Sequence, residues 1–169
     1  MRILDASASN RSMWYQKNNP FTVFIDRRCG KEYMVSENSK FKNNRAVYLF
    51  PNVQAVWQHL PFVDQSFDLV VFDPPRLFKD QGKKLSLMSK KYGVFYNHSW
   101  KQELSEGIIE LFRVIKPQGM FILKWNEIDK PVNEVLKLFP YSPLFGSRVG
   151  QKNNTHWITF MKYQLNQTI

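Results

Sequence analysis

The chain is poor in the residues that build disulfide and metal frameworks. Cys29 is its only cysteine, so no internal disulfide can form and a reducing compartment is expected. Three histidines, His59, His98 and His156, stand in no close Cys/His spacing, and no zinc site is expected. No apolar run approaches the roughly 18 residues of a membrane span. The opening "MRILDASAS" lacks a charged segment followed by a long apolar one, so it does not read as a signal peptide. Acids are scarce too, 14 Asp and Glu against 24 Lys and Arg, a formal charge of +10. There is no internal repeat and no low-complexity linker. A cytoplasmic protein without a membrane partner is the expectation.

What remains suits one compact core. With 169 residues, 43% of them apolar, a single domain over 1–169 is expected. Short apolar, β-branched runs alternate with helical patterns, the mark of parallel βαβ units. "RILDA" (2–6) and "FTVFID" (21–26) read as strands, "NVQAV" (52–56) as a weak one, and "FDLVVFD" (67–73) as the sheet centre. A helix over 100–116 places Leu104, Ile108, Leu111, Phe112 and Ile115 on one face. "KPQG" (116–119) stops it before the strand "MFILKWN" (120–126), and Pro131 opens a short helix. The end reads as an antiparallel hairpin at the sheet edge, turning at Gln151–Asn154. Residues 27–45 read as a short helix and a loop.

Charge and acids mark two candidate sites. Between Arg76 and Lys101 lie Lys79, Lys83, Lys84, Lys90 and Lys91, opposed by Asp80 alone and interleaved with Phe78, Tyr92, Phe95, Tyr96 and Trp100. That mixture suits phosphate contacts with base stacking; the plainer reading is aromatics packed on the core with lysines in water. Asp5, Asp26 and Asp73 each end a predicted strand, where ligands gather in an open α/β sheet. Asp26 follows Asp5 at a spacing close to that of a ribose-binding acid, yet the first turn, "DASASNRS", has no glycine. Spacing alone leaves nucleotide-binding acids and helix N-caps both open.

The order "ILDAS…FID…LPFVDQSFDLVVFDPPR…FRVIKPQGMFILKW" resembles a class I S-adenosylmethionine-dependent methyltransferase. More narrowly, Asp73–Arg76, Lys91–Gly93, Leu123–Trp125 and Thr155–Trp157 resemble small bacterial and prophage DPP-motif methyltransferase-like proteins. The resemblance implies an α/β, Rossmann-like class I methyltransferase sheet, mostly parallel, with an antiparallel C-terminal hairpin. It implies S-adenosyl-L-methionine as cofactor and assigns residues to it. Asp5, Ala6, Ser7 and Ser9 would form the turn under its methionine part. Asp26, with Arg27 beside it, would accept the ribose hydroxyls, and Ala55, Val56 and Trp57 would flank the adenine.

Asp73, Pro74, Pro75 and Arg76 resemble the D-P-P-aromatic catalytic tetrapeptide of amino-group methyltransferases acting on nucleic-acid bases, which implies adenine N6 in DNA most directly. An exocyclic amine is a weak nucleophile because its lone pair is delocalised into the ring. A carboxylate and a carbonyl accepting its two N–H groups pull the nitrogen toward tetrahedral geometry. Asp73 and Pro74 supply them on a stiff Pro-Pro backbone. The fourth position usually stacks on the flipped base; here it is Arg76, whose planar guanidinium also stacks. Phe78, Lys83, Lys84, Lys90, Lys91, Tyr92 and Trp100 are the further substrate contacts expected, DNA being favoured over RNA. Lys124, Asn126 and Glu127 stand at the neighbouring strand end, for substrate contact or simple solvation. Cys29 and His156 read as packing residues.

Three positions depart from the family pattern: Ser9 where glycine is usual, Val56 where an acid often meets adenine, and Arg76 for the aromatic. They motivate an alternative, a catalytically silent methyltransferase-like module that binds nucleic acid or a partner protein. No separate recognition domain is visible, so specificity is expected from loops such as 76–101 or from a partner subunit.

Overall fold

Apolar runs too short for helices become strands along most of the chain. The computed structural model describes residues 1–34, 45–84, 86, 89, 92–149 and 154–163. In order these form β1 (Ile3–Asp5), β2 (Thr22–Asp26), β3 (Gly30–Met34), β4 (Arg45–Leu49), β5 (Val53–Gln54), β6 (Phe67–Phe72), β7 (Phe78–Lys79) and β8 (Phe95–Tyr96). Helix α1 (Trp100–Val114), β9 (Ile115–Asn126), helix α2 (Val132–Leu136), β10 (Phe145–Val149) and β11 (Thr155–Met161) follow.

The main sheet has seven strands in the order β10-β11-β9-β6-β1-β2-β5. β11 runs antiparallel to both its neighbours, β9 and β10, and the other adjacent pairs are parallel. The apolar run "FDLVVF" is therefore the middle strand, and the terminal hairpin forms as expected. From β1 the chain runs outward through β2 to β5, then returns to β6 on the other side of β1. The strand ends of β1 and β6 flank this reversal, the place where open α/β sheets hold ligands.

Helix α1 owes its position to one apolar face. Trp100, Leu104, Ile108, Leu111 and Phe112 are buried, against Phe72, Phe121, Leu123 and Trp125 of the sheet core. Each fully buried Leu, Ile or Phe contributes roughly 1.5–3 kcal/mol. Ser99 holds the N-cap position without a side-chain bond to a helix N–H: its hydroxyl meets the Glu103 carboxylate instead, and its carbonyl accepts the Glu103 N–H at 3.0 Å. Near the C-terminus Arg113 holds the "LPFVD" loop through the Phe62 carbonyl (2.9 Å), the Asp64 carboxylate (2.6 Å) and Glu110 (2.7 Å). Gly107 is the one close approach on α1. A Cβ there would lie 2.3 Å from Trp57 Cδ1, so its absence seats Trp57 against the helix.

Three expectations are corrected. The described part of 27–45 is not helical: β3 and β4 pair antiparallel, from Gly30 opposite Leu49 to Met34 opposite Arg45. "GKEYM" and "RAVYL" are five residues each and show no polar–apolar alternation, so neither stands out locally as a strand. β9 begins at Ile115 rather than Met120, because Phe67 pairs with Ile115 before the register shifts and Leu69 pairs with Met120. Gln118, at φ +63°, takes up that irregularity. Cys29 is exposed rather than packed.

The β1–β2 crossover (6–21) carries no helix. Its Ser and Asn residues are weak helix formers, Asn19 Oδ1 accepts the Phe21 N–H at 2.9 Å, and Arg11 pins the loop. Arg11 donates to the Lys17 carbonyl (2.7 Å) and the Phe50 carbonyl (2.8 Å), with its guanidinium 4.1 Å over the Phe24 ring. Among the described residues no helix is long and apolar enough to cross a membrane.

Candidate active site

The turn after β1 crosses the ends of the neighbouring strands and fixes three aspartates around one cavity. Ala6 N–H donates to the Val71 carbonyl and Ala8 N–H to the Ile25 carbonyl, each at 2.9 Å. Asp73 N–H donates to Ser7 Oγ at 2.8 Å. The cavity, about 320 Å³, is lined by Asp5, Ala6, Ser7, Ser9, Asp26 and Arg27 from this end. Ala55, Val56 and Trp57 form one wall, and Asp73, Pro74, Pro75 and Arg76 the far end, with Tyr92, Lys124 and Asn126 beside them. Both halves of the expected site therefore open into the same space.

Asp5 is 1% exposed. Its Oδ1 accepts Ser7 N–H (3.0 Å) and its Oδ2 accepts Trp14 Nε1–H (2.6 Å). Burial pushes its carboxyl up to about 6; those hydrogen bonds oppose the rise, and the charges of Asp73 and Asp26 add to it. Asp26 is buried and bound by Ser9 N–H (3.0 Å), by Arg28 N–H (2.9 Å) and by the Arg28 guanidinium. Ser9 adopts φ +45°, the left-handed conformation that glycine prefers. Its Oγ, the Asn10 Oδ1 and the Trp57 Nε1 are buried with no hydrogen-bond partner among the described residues.

At the other end Asp73 Oδ2 accepts Lys124 Nζ at 2.6 Å, while Oδ1 has no partner among the described residues. Burial raises the Asp73 carboxyl; the Lys124 ammonium and the Arg76 guanidinium oppose that rise. Lys124 Nζ also lies 5.7 Å from the Trp157 ring centroid. Pro74 and Pro75 are buried, and Arg76 is exposed at the mouth. Gly93, at φ +82°, lets the "YG" segment close on the motif: a Cβ there would sit 3.1 Å from Pro75 Cγ.

Not every expected contact is brought here. Phe78 stacks on Phe95 (5.6 Å) and meets Trp100 and Trp125 edge-on at 5.5 and 6.2 Å. Trp100 is 4% exposed. The short β7–β8 pairing folds these rings inward, so Phe78 and Trp100 serve the core and do not face the cavity. Lys83 and Lys84 are exposed and outside the cavity lining; Lys90 and Lys91 lie outside the described residues. Sequence reasoning passed over Arg28, Glu103 and Thr155, which line the cavity too. Arg28 stands two residues beyond a strand-ending acid and Thr155 opens the quoted "THW" segment, whereas Glu103 carries no such signal.

The residues present fit S-adenosylmethionine in kind. A carboxylate stands where ribose hydroxyls are expected, an apolar wall runs from Ala55 to Trp57, and two orphaned polar atoms lie in the first turn.

No protein-family model and no curated protein matches the sequence. Solved structures do match its shape. The N-methyltransferase NodS from Bradyrhizobium japonicum WM9 aligns at 8% identity over 96% of this chain and 85% of its own, TM-score 0.54. The 16S rRNA (adenine(1408)-N(1))-methyltransferase from Catenulisporales acidiphilia, with cosubstrate SAM, aligns at 10% identity over 99% of this chain and 88% of its own, TM-score 0.52. A Burkholderia thailandensis 1,6-didemethyltoxoflavin-N1-methyltransferase, with S-adenosylhomocysteine bound, aligns at 15% identity over 96% and 71%, TM-score 0.50. At these identities the likeness is one of fold, and the fold is that of the Rossmann-like methyltransferases.

Proposed function

We propose that the chain transfers a methyl group from S-adenosylmethionine to an exocyclic amino group of a nucleic-acid base, with adenine N6 in DNA the acceptor the motif fits best. One observation carries this reading. Asp73 shares a cavity with Asp5 and Asp26, and its carboxylate is anchored at Oδ2 by Lys124 with Oδ1 unpartnered among the described residues. Bound in this cavity, the cofactor supplies a methyl group on a positively charged sulfur with its leaving group built in. The chain's own task is positioning. Asp73 Oδ1 and the Pro74 carbonyl accept the two amine N–H groups and aim the nitrogen lone pair. As nitrogen gains its fourth bond, Asp73 is the base at hand for the proton, and its raised pKa suits that exchange.

The remaining residues support a polyanion. Arg76 stands at the mouth, where its guanidinium can stack on an extruded base. Lys79, Lys83 and Lys84 follow Arg76 in the chain, and the whole chain carries +10. Sequence preference then comes from the 76–101 segment or from a partner protein. RNA is the variant acceptor, given that one structural neighbour is an rRNA adenine methyltransferase.

Calorimetric titration with S-adenosylmethionine, followed by transfer of labelled methyl to DNA and RNA, tests the reading. Micromolar binding and label recovered as N6-methyladenine are expected; no binding at millimolar cofactor overturns it. A second reading, a silent nucleic-acid-binding module, is favoured by Ser9 at φ +45° and by the occupied carboxylate of Asp26. It requires salt-dependent nucleic-acid binding that survives Asp73→Ala, with no methyl transfer.

A further inference from the structure

Asp26 closes β2 at the nucleoside end of the cavity, with its side chain 7% exposed. Oδ1 accepts the Arg28 backbone N–H at 2.9 Å and Arg28 Nε–H at 3.0 Å. Oδ2 accepts Ser9 N–H and Arg28 Nη2–H, each at 3.0 Å. A carboxylate offers about four lone-pair sites. All four are taken, two by backbone and two by one guanidinium. A cis-diol needs two of them. The Ser9 and Arg28 amides are fixed by the chain, but the guanidinium ends a flexible side chain that itself lines the cavity.

We propose that Arg28 is a built-in competitor of the nucleoside: its guanidinium occupies the diol-accepting positions of Asp26, and a ribose-bearing ligand enters by displacing it. This rests on the cavity being a nucleoside site. Arg28 is then a specificity-determining residue, because the exchange sets how strongly ribose hydroxyls count toward affinity. A bidentate Arg–carboxylate pair is the strong form of this contact. If the paired state holds about nine molecules in ten, apparent affinity falls about tenfold, which is ~1.4 kcal/mol.

The test is calorimetry on the full chain with three probes: S-adenosylhomocysteine, adenosine and 2′,3′-dideoxyadenosine. Arg28→Ala should bind the first two about tenfold tighter than the native chain and dideoxyadenosine unchanged. Arg28→Lys, which keeps a charge but not the fork, should gain about threefold and stands in if the alanine variant unfolds. Adding Asp26→Asn to Arg28→Ala should abolish the diol preference. Adenosine binding that is equal or weaker in both Arg28 variants overturns the inference while leaving the nucleoside site intact. Failure of every protein to bind any probe at millimolar concentration overturns the nucleoside reading and this inference with it.

Discussion

The two ends of the cavity are built on the same device, an aspartate at the end of a parallel strand, and are wired differently. At the nucleoside end Asp5 and Asp26 are buried, and their oxygens are satisfied from within the chain by Ser7, Trp14, Ser9 and Arg28. At the acceptor end Asp73 is held, among the described residues, by one oxygen through Lys124, and its side chain is 34% exposed. The first end is settled for stability and must be opened by a ligand. The second is poised, because one oxygen is fixed and the other is unspent. In the proposed reaction the two aspartates take different roles, and the difference follows from their partners rather than their position.

The largest expected effect breaks the acceptor end. Asp73→Ala should reduce methyl transfer by about 10³-fold, within the range for an acid–base group, with cofactor affinity within about threefold of native. Tritiated methyl transfer and calorimetry on the same preparation check it. Equal transfer by the variant would remove Asp73 from the chemistry.

The buried nucleoside end should show itself in stability instead. The Asp5 carboxyl sits at about 6 in the folded chain against an ordinary 3.8. Its pKa is raised by folding, so the folded state holds the extra proton between those values. Stability from this group therefore falls as pH rises from 4 to 6 and is level above. The shift of about two units corresponds to at most ~3 kcal/mol. Asp5→Asn lacks that slope, though its amide faces Trp14 Nε1–H with a donor. Urea midpoints of both proteins at pH 4, 5, 6 and 7 should converge or cross as pH rises; parallel curves would mean that burial does not raise Asp5.

Much of this is legible in the sequence. "FDLVVF" had to be central because it is apolar on both faces, and the Leu104–Phe112 stripe could form only a one-sided helix. The strand-ending acids named the cavity, and "DPPR" its far end. The pairing of each acid was not legible: Arg28 follows Asp26 by two residues and Lys124 stands at a neighbouring strand end, but neither position says which carboxylate oxygen is taken. The fate of the 76–101 aromatics was hidden too. Composition reads Phe78 and Trp100 as base-stacking residues, and only the β7–β8 pairing shows that they turn inward onto Phe95 and Trp125. The reading of 27–45 as a short helix and a loop failed because residues 30–34 pair with 45–49, and such pairing stabilises strands that local pattern leaves faint.

A smaller effect sharpens what anchoring means at the acceptor end. Lys124→Met removes both the bond to Oδ2 and one of the charges opposing the rise in the Asp73 pKa. Transfer at neutral pH should fall, by 10²-fold at most for a misplaced group. The acidic limb of the pH–rate profile should also move to higher pH, because the carboxylate is harder to ionise. Lys124→Arg should restore the limb. A uniform drop at every pH would make Lys124 a structural residue only.

The smallest effect falls at Ser9, which holds Asp26 at the nucleoside end. A left-handed conformation costs a non-glycine residue about 1–2 kcal/mol, and Ser9 holds φ +45°. Its buried Oγ lacks a partner among the described residues, which adds to the cost. Glycine relieves both and gives back roughly 0.4–1 kcal/mol as greater freedom of the unfolded chain. Ser9→Gly should therefore stabilise the protein by about 1 kcal/mol, read as a higher urea midpoint at unchanged slope. The backbone bond from residue 9 to Asp26 stays, so affinity for adenosine should change less than in Arg28→Ala. If Ser9→Gly alone raised affinity tenfold, the obstruction at the nucleoside end would be the serine Cβ, and the guanidinium on Asp26 would be a bystander.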